Sequence, residues 1–172
     1  MPLVLSGLAL GTDKPAFDLL LVGHVACALF GFGALATSGV QATRLLRNRP
    51  GRAEATLLRY FAPGVNWAGR ALYGVPVFGF ALLADSGGHA RIADGWVVAG
   101  LALWALAVLL AEGFLWPAER RIQSALVGGP PRGVTGPVPV SMRRDCKMVG
   151  RLGAVLAVIF VAATVLMVAC PG

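Results

Sequence analysis

Four runs of mostly apolar residues dominate the chain, at about 17 to 39, 64 to 84, 95 to 116 and 149 to 170. A helix rises about 1.5 Å per residue, so each run is long enough to cross roughly 30 Å of hydrocarbon. No water inside a bilayer satisfies backbone N–H and C=O groups, and such runs therefore take the helical form, which bonds internally. The fold predicted is all-α, a four-helix transmembrane bundle forming a single membrane domain over 1–172. Charged residues make up 13% of the chain, about half the share of a soluble domain.

A net charge of +7 would also suit a nucleic-acid partner, but the placement of the cations points to a membrane instead. Arg44, Arg47, Arg49, Arg52, Arg59 and Arg70 lie between the first two runs or at the mouth of the second. Arg120, Arg121, Arg132, Arg143, Arg144, Lys147 and Arg151 lie between the last two or at the mouth of the fourth. Only Lys14 and Arg91 fall on the opposite side, so the positive-inside rule puts the loops 40–63 and 117–148 in the cytoplasm and both termini outside. Thirteen of the fifteen cations are Arg, which with abundant Ala, Gly and Val points to a GC-rich bacterial genome and so to the bacterial cytoplasmic (inner) membrane.

Trp67 and Trp116 near the inner boundary and Trp96 near the outer one read as interfacial anchors. In the first loop, "RAEATLLRYF" has the pattern of a short helix lying on the inner surface against anionic headgroups. The second, "VGGPPRGVTGPVPVSMRRD", is too dense in Gly and Pro for regular structure and reads as a strap over 125–147, ordered by a partner. Arg143, Arg144 and Lys147 at its far end are the candidate docking residues for a partner or for lipid. The N-terminal "MPLVLSGLALGTDKP" lacks a basic n-region and reads as an interfacial arm, not a cleaved leader. Cys27, Cys146 and Cys170 have no metal-binding spacing and read as free thiols. Small residues recur at packing intervals: Gly23, Cys27, Gly31 and Gly39; Gly95, Ala99, Ala107 and Ala111; Gly150, Ala154 and Ala162. Pro76 should kink the second span and free one carbonyl.

A histidine inside an apolar span is costly and so marks a candidate site. His24 shares its helix face with Cys27, Ala28 and Gly31 and should point into the bundle. It reads as a neutral imidazole hydrogen-bonded to a neighbouring helix, as one haem b ligand with His89 as the other, or as a copper ligand with Cys27, Met167 and Cys170. Cofactor binding is thus assigned to His24 and His89, with no cofactor required. Glu112 and Arg70 fall at one depth on consecutive helices and should pair, since a lone buried charge costs several kcal/mol. The alternative for Glu112 is a proton or quinone-headgroup site. There is no Gly-rich phosphate loop, HExxH or GxSxG in a usable context, so no catalytic residue and no metal site is assigned.

The first span, "LLLVGHVACALFGFGALATSG", and the second, "RYFAPGVNWAGRALYGVPVFGFALL", resemble a family of predicted bacterial integral membrane proteins of unknown function. Its members are small, with about four spans and a His early in span one. The resemblance implies a fold and a location but no reaction. There is a fainter similarity to copper-resistance membrane domains, whose ligand-rich pattern is missing here, so copper is not carried over. The functional expectation is a non-catalytic accessory or structural subunit of a larger inner-membrane complex, such as a respiratory electron-transport assembly. Its partners would be the lipid bilayer, other membrane-protein subunits and anionic headgroups, with no nucleic acid. The alternative is a haem-, copper- or quinone-interacting protein that handles electrons or protons.

Overall fold

The computed structural model describes residues 15–47, 64, 66–87, 91–127 and 140–169. Four long helices carry nearly all of them, and no strand occurs among the described residues. The first, α1, is Pro15–Arg47. The second, α2, is Trp67–Asp85, built from Trp67–Arg70, a 3₁₀ turn Ala71–Tyr73 and Gly74–Asp85. The third, α3, is Gly95–Leu110, a π turn Ala111–Leu115 and Trp116–Val127. The fourth, α4, is Val140–Ala169. All four are long and apolar enough to cross a membrane. Large apolar side chains such as Leu19, Phe30, Leu109 and Val158 lie exposed around the bundle, the surface a lipid-facing protein presents.

Three helices outrun the predicted spans. With 33 residues, α1 extends about 50 Å, and Arg44 and Arg47 sit in its last turn, where cations complement the helix dipole. The predicted loop 117–148 is helical at both ends: α3 runs on through Pro117 to Val127, and α4 starts at Val140. The π turn explains the first extension. Trp116 N–H bonds back to Ala111 C=O, and this looser turn just ahead of Pro117 carries the helix past a residue that lacks an N–H. Tertiary burial explains the second: Met142, Cys146 and Val149 pack with Ala42, Ala118 and Ile122 into a core beneath the spans. Arg121 clamps Asp145 across these two extensions, Nη2 to Oδ1 at 2.9 Å. Of the strap, 128–139 lies outside the described residues, as do the predicted surface helix of the first loop, the N-terminal arm, both chain ends and Cys170.

Helix α1 packs along both α2 and α4, and α4 along α3. Glycines govern these contacts. A Cβ on Gly153 would lie 2.8 Å from Gly39 Cα, so α1 and α4 cross backbone to backbone. A Cβ on Gly31 would lie 2.7 Å from Leu72 N, which brings α2 equally close. Cys27 Sγ rests on Gly74, and Phe78 lies over Gly23. On α4 the packed small residues are Gly150 and Gly153; Ala154 and Ala162, in the predicted stripe, are exposed. Helices α2 and α3 meet through long side chains, and the two candidate sites lie along that seam.

Candidate functional site

At the end of the bundle carrying the Ser86–Gly87 turn, a cavity of about 300 Å³ lies between α2 and α3. Phe17, Leu21 and His24 of α1 and Met167 of α4 complete its wall. The sequence builds it from two local features. Pro76 has no N–H for the Leu72 carbonyl one turn earlier, and that turn tightens to 3₁₀. Trp104 of α3 reaches across and donates its indole N–H to Leu72 C=O at 2.9 Å, closing the cavity floor. The second feature is Gly79, whose missing side chain leaves room for the His24 ring: a Cβ there would lie 3.3 Å from His24 Cε1.

His24 is half-buried and donates from Nδ1 to Val75 C=O at 2.9 Å. A carbonyl can only accept, so Nδ1 carries a hydrogen, and a ring kept neutral by the cost of charge in apolar surroundings then has its lone pair on Nε2. Anchoring one imidazole nitrogen on a backbone carbonyl is how proteins orient a histidine that works through the other.

Toward the basic end, the same seam holds a polar cluster. Arg70 Nη1 donates to Glu112 Oε1 at 3.0 Å, and Tyr73 O–H donates to the same oxygen. The Arg70 guanidinium stacks on the Trp116 ring, 4.1 Å from its centroid. Asn66 caps α2 by accepting from Gly69 N–H at 3.2 Å, which sets where Arg70 leaves the helix. A small pocket of about 60 Å³ beside Arg70 is lined by Asn66, Glu119 and Gln123. Glu119 is 5% exposed and hydrogen-bonded to Ser38 of α1.

Trp116 is 5% exposed, packed under Arg70, and so is not the interfacial anchor that its place in the sequence suggests. The π turn rotates its side chain inward. Met167 shares the cavity with His24, whereas Cys27 is not part of its wall and packs against Gly74; Cys170, the fourth residue weighed for copper, lies outside the described residues. No cluster of three or more His, Cys, Asp or Glu forms among the described residues. His89 lies outside them, and so does a haem ligand pair with His24. Arg143, Arg144 and Lys147 stand exposed on the first turns of α4, not on a loop.

Sequence reasoning passes over Tyr73, Trp104 and Glu119. Trp104 and Tyr73 stand among apolar neighbours and carry no spacing signal. Glu119 comes seven residues after Glu112, which in a regular helix would place both within about 20° of one another. The π turn separates them: Glu112 is exposed and Glu119 buried. No family model, curated protein or solved structure matches the chain. The likeness of spans one and two to a membrane family therefore remains one of hydropathy, His24 and a Gly-rich helix.

Proposed function

We propose that the protein is a non-catalytic, multi-pass component of the bacterial cytoplasmic membrane that holds a small lipid-phase molecule at its turn end and serves a larger inner-membrane assembly as an accessory subunit. The observation behind this reading is the cavity of about 300 Å³, walled almost wholly by apolar side chains and furnished with one oriented imidazole. A mostly apolar hollow with few, well-placed polar groups is the general form of a small-molecule site. Its position in the apolar part of the bundle selects molecules that partition into lipid.

The exposed basic face of α4 supports the assembly part of the reading. Arg143, Arg144 and Lys147 face outward while Met142, Cys146 and Val149 anchor the helix, so the cations are presented on a rigid element. Anionic headgroups or an acidic subunit surface would complement them. The charge asymmetry supports an orientation with this face in the cytoplasm. A thiol placed at Ser86 should then react with an impermeant reagent added outside intact cells, and a thiol at Thr135 should not.

The test of the ligand reading is extraction. Protein purified in native-lipid discs should release one predominant small amphiphile in near-stoichiometric amount, and Gly100→Leu, which inserts bulk into the cavity, should abolish its recovery. Bulk phospholipid alone from both proteins would sink the reading. A second reading, a redox metal or haem, draws on Met167 facing the same cavity as His24. A Soret band or stoichiometric copper in that preparation would establish it in place of the first.

A further inference from the structure

We infer, granted that the cavity is a ligand site, that its ligand presents an aromatic hydroxyl to His24: a hydroquinone-type head on an apolar tail. The hydrogen on Nδ1 is held by Val75 C=O at 2.9 Å, so the neutral ring offers the ligand an acceptor at Nε2 and no donor. The Cε1 and Nδ1 edge of the ring fills the space that a Gly79 side chain would take, which sets this edge toward α2. Other polar groups in the wall point elsewhere: Trp104 N–H is engaged by Leu72 C=O, and Ser86 O–H donates to Leu83 C=O at 2.7 Å. A head bearing only carbonyl oxygens would set lone pair against lone pair at Nε2. A hydroxyl donates into it and satisfies both partners.

The wall chooses the kind of hydroxyl. Phe17, Phe80, Trp96 and Trp104 bring four aromatic side chains to one small cavity, and flat rings gain from edge and face contacts that an alkyl alcohol does not make. A volume of about 300 Å³ suits one ring with the start of a tail, the remainder running out among the lipids.

The probes are a short-chain alkyl hydroquinone kept reduced under anaerobic conditions, the matching quinone, and an alkyl alcohol of equal length. Each is titrated into the full-length protein in nanodiscs, with ¹⁵N-histidine resonances as the readout and His24→Phe to assign them. The expected result is a His24 tautomer protonated at Nδ1, an Nε2 signal that shifts with hydroquinone, and binding on the order of ten-fold tighter for hydroquinone than for quinone. In His24→Phe that ratio should fall to about one while both rings still bind. Should this variant fail to fold, His24→Gln, whose amide both donates and accepts, should bring the two affinities within about two-fold. Equal or reversed affinities in the wild type would overturn the hydroxyl assignment and leave the cavity a ligand site. An alcohol that binds as tightly as the hydroquinone would overturn the aromatic part. Failure of all three probes to bind or to move the His24 signal would overturn the cavity reading, and this inference with it.

Discussion

The two halves of the bundle are built from the same four helices, yet one is closed and the other hollow. Toward the basic end, Gly39 and Gly153 bring α1 and α4 into backbone contact, and the Arg70, Tyr73, Glu112 and Trp116 cluster ties α2 to α3. A second core of Ala42, Ala118, Ile122, Met142, Cys146 and Val149 extends the packing below it. Toward the turn end, α2 and α3 are held apart above the Trp104 bond, and the space between them is the His24 cavity. In lipid there is no hydrophobic drive for helices to associate, so close packing has to come from small residues and polar ties. Toward the basic end they act across both the α1–α4 and the α2–α3 seams, whereas above Trp104 they tie α1 to α2 and leave the space between α2 and α3 as the cavity.

The largest expected effect tests the closed half. Gly153→Ala places a methyl group 2.8 Å from Gly39 Cα, and the backbones must separate. A loss of about 2 to 3 kcal/mol is expected from overpacking at a helix crossing, measured by reversible unfolding in mixed micelles. Wild-type stability in this variant would mean that the crossing is not close. Next is the ion pair, whose side chains keep 34% and 43% exposure and so fall short of the full penalty of a buried pair. Glu112→Gln should cost about 1 to 2 kcal/mol, and Arg70→Met combined with Glu112→Met should recover most of it. Additive losses in that cycle would rule out direct pairing.

Trp104→Phe probes the boundary between the halves by deleting the donor to Leu72 C=O. It should cost about 1 kcal/mol and open the cavity floor, seen as weaker hydroquinone binding by titration in nanodiscs. The smallest effect falls in the hollow half. A Cβ on Gly100 meets only Met167 Cε at 3.8 Å, an ordinary contact, so Gly100→Ala should be neutral or stabilising by about 0.5 kcal/mol through helix propensity. The same substitution thus carries opposite signs at Gly153 and Gly100. Equal losses at the two positions would erase the distinction between the halves.

Helix number, the all-α class and the membrane setting were legible in the sequence, because hydrocarbon thickness and backbone hydrogen bonding leave an apolar run of this length one form to take. Depth was legible as well: helix rise alone puts Arg70 and Glu112 at one level, and in the structure they stand 3.0 Å apart. Gly23, Gly31 and Gly39 of α1 stand where small-residue spacing marked them, each against a neighbouring helix.

Rotation and extent were decided only by the tertiary structure. The π turn at Ala111–Leu115 carries α3 through Pro117 and rotates the residues beyond it, so Trp116 and Glu119 are buried where a regular helix reads otherwise. The start of α4 at Val140 depends on burying Met142 and Cys146 against α1 and α3, a gain that local propensity does not register. The cavity obeys the same rule. His24 carries its anomaly in the sequence, but the carbonyl that orients it belongs to Val75, 51 residues away, and Trp104 closes the floor by bonding a residue 32 positions earlier. Hydropathy and spacing act along one helix and are written in its sequence. The partners that fix the His24 tautomer and leave space beside it come from other helices, and only the packed bundle brings them together.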